Sequence, residues 1–87
     1  MKSKKKTVRK QILNDDLIRF GQEVRRRREA QDISQEELAD RAGLHRNYIG
    51  YVERAEANAT VTSVIKIARA LKLRPSELLR EMKWSAG

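Results

Sequence analysis

Residues 34–54 read SQEELADRAGLHRNYIGYVER. The first four match an S-x-x-E capping box, in which a serine and a glutamate three residues on satisfy each other's neighbouring backbone donors at a helix start. Leu38, Ala39 and Ala42 then make one side of a short helix, and Gly43 stands where a left-handed residue ends it. A second helix is expected from near His45 to Arg54. Take 100° per residue and place Arg46 at the origin of the wheel. Gly50 then lies at about 40°, Arg54 at about 80°, Asn47 at about 100° and Tyr51 at about 140°. Ile49 falls at about 300° and Val52 at about 240°. One side packs, and the other carries Arg46, Asn47, Tyr51 and Arg54 outward along a strip.

The flanks read as helices too. Asn14, Asp15 and Asp16 are helix-start residues, and Leu17, Phe20 and Val24 follow at helical spacing, so a first helix is expected from about 16 to 31. Asp32 and Ile33 break it. Ala55 to Ala59 are small and polar enough for a loop. Thr60 or Thr62 can cap a fourth helix with Val64, Ile65, Ala68 and Leu71 on its buried side. Pro75 suits a first helical position and opens a fifth helix carrying Leu78, Leu79 and Met82. No stretch reads as a strand or a repeat.

At 87 residues without cysteine, the chain is one small domain that neither disulfides nor thiolate-bound metal can reinforce. Nothing approaches the ~18 consecutive apolar residues of a membrane span, and no apolar segment follows the basic N-terminus as in a secretory signal. The cytoplasm is the expected location. The net charge is +8, from 20 Lys and Arg against 12 Asp and Glu. Residues 1–10 contain Lys2, Lys4, Lys5, Lys6, Arg9 and Lys10 and no acid, and Arg25 to Arg28 form a second basic run. Such runs suit a polyanion; a solubilising tail and a solvated helix face are the plainer readings. Residues 1–13 are expected to be a basic flexible arm, 14–83 the folded domain and 84–87 a short tail.

The outward strip has the side chains that read base edges. Arginine donates two bonds to guanine O6 and N7, and asparagine pairs with adenine N6 and N7. Tyr51 offers a ring edge for a thymine methyl and a hydroxyl for phosphate. Gly50 weakens the helix by up to about 1 kcal/mol, yet it would allow close approach to a groove. Equally, it would accommodate a neighbouring helix.

A short capped helix, a glycine turn and a second amphipathic helix make a helix-turn-helix, which delivers its second helix to the major groove. On SQEELADRAGLHRNYIGYVER and on IKIARALKLRPSELL at 65–79, residues 20–79 resemble the Xre/Cro, phage-repressor-like family of helix-turn-helix regulators. The resemblance implies an all-α, compact five-helix, lambda-repressor-like domain with its helix-turn-helix at helices 2 and 3. It implies base contacts from Arg46, Asn47 and Tyr51. Phosphate contacts are implied for Gln35, Tyr48 and Asn58, with Gln35 also bracing the reading helix; Arg54 joins them from its place on the strip. His45 stands where serine, threonine or aspartate is usual, and its imidazole could bond phosphate or cap backbone donors. Arg28 and Glu53 align with an ion pair that ties the first helix to the third. Ala57, beside Glu56, replaces a usual basic residue, which weakens the case for phosphate contact from that loop.

The implied partner is double-stranded DNA, read at an inverted-repeat operator by a homodimer. Leu79, Met82 and Trp84 are the expected dimer surface, unless Leu78 belongs to the core and Trp84 folds back over it. The wording from Leu44 to Ile49 leans towards the controllers of restriction–modification operons. A protein-bound antitoxin, or a sequence-indifferent binder led by the arm, uses the same fold differently. With one histidine and no phosphate-binding glycine loop, no enzyme activity, cofactor or metal site is expected.

Overall fold

The computed structural model describes the backbone of residues 2–82 and the side chains of residues 15–82. Five helices follow in order: α1 (Lys2–Ala30), α2 (Gln35–Ala42), α3 (Arg46–Glu53), α4 (Val61–Ala70) and α5 (Pro75–Leu78), with no strand among the described residues. α1 and α2 pack on α3, α4 closes over α2, and α5 joins α4 to α1.

α1 begins at Lys2, well before the expected start near residue 16. Neither glycine nor proline occurs before Gly21, and lysine, glutamine, leucine and arginine are good helix formers. Extending a nucleated helix through such residues adds one hydrogen bond per residue fixed. Asn14, Asp15 and Asp16 therefore lie inside a helix and do not cap one.

The core is built from Phe20 and Val24 of α1, Ile33, Leu38 and Ala39, Ile49 and Val52, Ile67, Ala68, Leu71 and Leu78. Leu17 is only half-buried. Thr60 caps α4 by accepting from Ser63 N at 3.0 Å. Its inner side carries Ser63, Ile67 and Ala68, with Val64 partly buried; Ile65, expected inside, is exposed next to Val61 on the opposite side.

The fifth helix is a single turn, shorter than its sequence suggests. Leu78 is buried, Leu79 is 41% exposed, and Met82 packs partly against the core from the turn beyond. With Arg80 and Glu81 exposed, little packing is available to support a further helical turn. α1, α3 and α4 are each followed by a non-glycine residue in the left-handed region, Asp32 at φ 57°, Ala55 at 60° and Lys72 at 60°.

Candidate nucleic-acid interface

Ser34 caps α2 by accepting from Glu37 N at 2.9 Å. The reciprocal half of the box is absent, because the Glu37 carboxylate accepts from Arg41 at 2.7 Å one turn on. Gly43, at φ 69°, closes the helix, and Leu44 N donates back to Ala39 O at 2.9 Å. The turn is therefore tight, and α3 starts three residues later. His45 is its N-cap, with Nδ1 accepting from Asn47 N at 3.1 Å. An accepting Nδ1 places the proton of a neutral imidazole on Nε2, which leaves one donor facing outward. Capping is therefore the contact His45 makes.

Ile49 and Val52 are buried in the core as their positions on the wheel require. Gln35, Arg46, Asn47, Gly50, Tyr51 and Arg54 line one shallow concavity of about 110 Å³. Arg46 is 70% exposed along its side chain and Tyr51 is 44% exposed overall. The Arg54 guanidinium lies 5.4 Å from the Tyr51 ring centroid, within cation–π range. Gly50 is buried beneath two side chains. A Cβ there would stand 3.0 Å from Arg54 Nη1 and 3.3 Å from Gln35 Oε1. One of these side chains belongs to α3 itself and the other to the first residue of the neighbouring α2, so the glycine makes a seat for both polar groups.

Behind the strip runs a buried polar network. Arg28 donates to Glu53 through Nε at 2.7 Å and Nη2 at 3.1 Å, and to Ile33 O through Nη1 at 2.8 Å. Gln35 Nε2 donates to Glu53 Oε1 at 2.9 Å, which joins α2 to the end of α3. The carboxylate holds the Arg28 guanidinium above its ordinary pKa, more than burial lowers it.

Three features differ from their sequence reading. The Arg25–Arg28 run is not a bare basic patch. Arg25 pairs with Glu29, Arg26 and Arg27 share Glu23, and Arg28 holds Glu53. The i,i+3 and i,i+4 spacing of Glu23 and Glu29 from these arginines is the signal of this pairing in the chain. The hydroxyl of Tyr48, a residue expected at phosphate, lies 3.0 Å from both Asn58 O and Ser63 Oγ, and it stitches the loop to α4. A hydroxyl has one proton, and here it is engaged within the fold. Arg46 and Arg54 are each paired, with Glu36 at 3.3 Å and Glu56 at 3.1 Å.

Gly21 is the contact that nothing in its neighbours announces. A Cβ there would collide with the Val52 carbonyl and stand 2.8 Å from the Glu53 carbonyl oxygen, so α1 meets the backbone of α3 directly. Asn58 is exposed. Of the expected dimer surface, Leu79 is exposed, Met82 is partly packed, and Trp84 lies outside the described residues. No described helix is long and apolar enough to cross a membrane.

The family model for Helix-turn-helix matches residues 24–78. Control protein C.SmaI of Serratia marcescens is 47% identical over 60 residues, 69% of this chain and 71% of the relative. Control protein C.BamHI of Bacillus amyloliquefaciens is 40% identical over 69 residues, 78% of this chain and 85% of the relative. Among solved structures, the restriction-modification controller protein C.AhdI from Aeromonas hydrophila superposes with a TM-score of 0.72 at 45% identity. That match covers 74% of this chain and 97% of the controller.

Proposed function

We propose, from the premise that this chain belongs to the Xre-like helix-turn-helix family, that it is a sequence-specific double-stranded-DNA-binding transcriptional regulator. In this reading α3 enters the major groove and the regulator acts as a homodimer on an inverted-repeat operator. One observation carries the reading. Gln35, Arg46, Asn47, Tyr51 and Arg54 converge on the solvent side of α3 while Ile49 and Val52 anchor the other side.

Arg46 and Asn47, at the first turn, contact base edges, and Tyr51 contacts the next step along the groove. Gln35, the His45 Nε2–H, Arg54 and Asn58 contact phosphates, which set register and carry no base information. Tyr48 supports the loop bearing Asn58. Two-fold symmetry would place two reading helices about 34–36 Å apart on successive major grooves. The exposed Leu79 and the neighbouring Met82 supply part of the dimer surface, and the N-terminal part of α1 adds basic charge that favours a polyanion.

The control proteins among the relatives support a place beside a restriction–modification system, acting in the cytoplasm and without a catalytic role of its own. They favour this self-standing regulator over an antitoxin-type protein. The test is selection of bound fragments from random duplexes, with sedimentation of the free protein at micromolar concentration. An inverted-repeat consensus and a dimer are expected. Recovery of no consensus would overturn the reading, and a strict monomer both free and on DNA would overturn its symmetry.

A further inference from the structure

Each arginine of the reading strip is held by a carboxylate from a flanking element. Arg46 meets Glu36 of the first turn of α2, and Arg54 meets Glu56 of the loop after α3. The backbone fixes both acids in place. Glu36 follows Gln35 directly behind the Ser34 cap. Glu56 sits after Ala55, whose left-handed conformation turns the chain back, and Glu56 N donates to Tyr51 O at 2.7 Å. On the other side of Arg54, Gly50 leaves the space its guanidinium occupies, and the Tyr51 ring lies under it. Arg54 is thus held across the strip by Glu56 in the free protein, and reaching a phosphate requires breaking that pair.

The consequence is electrostatic. Two arginines and two glutamates leave these pairs neutral on a chain of net charge +8. A duplex that offers only phosphates must displace each carboxylate and leave it facing a polyanion. A duplex with matching bases offers the Arg46 guanidinium a bidentate acceptor pair in return, and seating Arg46 there sets the register in which Arg54 meets its phosphate. The penalty therefore falls on every sequence, and only the correct one offsets it, which raises the ratio between them.

We propose that Glu36 and Glu56 are specificity determinants, which occupy Arg46 and Arg54 and suppress binding to duplexes lacking the operator bases. The proposal rests on the DNA-reading function above. Exposed pairs of this kind are individually weak, so the effect of each is a few-fold in affinity.

The test uses the isosteric variants Glu36→Gln and Glu56→Gln, singly and together, in the full chain. The probes are the consensus duplex selected by the parent protein and a scrambled duplex of the same composition, each titrated over a salt series. For the double variant, affinity for the scrambled duplex should rise about tenfold, and the slope of log K against log salt should steepen by about one for each freed arginine. Affinity for the consensus should rise less, so discrimination falls. If the parent discriminates and the variants bind the scrambled duplex with unchanged affinity and slope, the inference is overturned while the DNA-reading function stands. If the parent yields no consensus, both fall together.

Discussion

The Arg28 guanidinium clasps the Glu53 carboxylate through two hydrogen bonds across 25 residues of chain, while the same carboxylate accepts from Gln35. The side chains are only 12% and 2% exposed. The end of the reading helix, the start of α2 and the last turns of α1 thus share one charged joint, so loss of the joint disturbs both stability and the register of α3.

Replacing Arg28 by alanine strands the Glu53 charge, and unfolding free energy should fall by about 3–5 kcal/mol. Replacing both partners, Arg28→Met with Glu53→Leu, removes the orphan and should recover much of that loss. Operator affinity should stay low in the double variant, because Gln35 has lost its brace. Urea unfolding and DNA titration of the three proteins check both statements.

Glu23 is buried, and the Arg26 guanidinium 2.6 Å away, helped by Arg27, holds its carboxyl below the usual 4.5 in spite of burial. A lowered folded-state pKa contributes stability that is present above the unfolded value and lost as pH falls through the folded one. Glu23→Gln should therefore be less stable than the parent at neutral pH. The gap should begin to narrow as pH drops below about 4.5 and close once pH has passed the lower folded-state value. Urea midpoints across that range read it directly.

Two glycines should respond in opposite directions to alanine. At Gly21 the new methyl meets backbone carbonyls of α3 that cannot step aside, and a loss of about 1–3 kcal/mol is expected with weaker operator binding. At Gly50 it meets the ends of two flexible side chains, so stability should hold or rise by up to about 1 kcal/mol. DNA affinity should nevertheless fall, since Gln35 and Arg54 are pushed from their seats. Thermal unfolding paired with DNA titration separates the two cases.

Ala55 and Lys72 sit in the left-handed region that favours glycine. Lys72→Gly should stabilise the fold by about 0.5–1 kcal/mol by relieving that strain, measured as a higher unfolding midpoint. The same change at Ala55 should stabilise similarly.

Arg46→Ala should relax preference at one base pair by about 1–3 kcal/mol and leave most of the salt-dependent affinity in place. Asn47→Ala should do the same at a neighbouring base pair. A repeat of the duplex selection with each variant shows which position loses its preference.

Features governed by a few neighbouring residues were legible in the chain itself. The Ser34 cap, the Gly43 turn and the burial of Ile49 and Val52 opposite Arg46 and Asn47 all follow from local hydrogen bonding and the 3.6-residue period. The same short-range logic pairs Arg25 to Arg27 with Glu23 and Glu29, three or four residues away on the same helix. The packed molecule alone settles which surfaces meet. Gly21 against the α3 backbone, Tyr48 turned towards Ser63, Ile67 in the core with Ile65 outside, and the one-turn α5 all depend on groups far along the chain. Periodicity assigns a residue to a side of its own helix; only helix–helix packing decides whether that side meets a carbonyl, a hydroxyl or water.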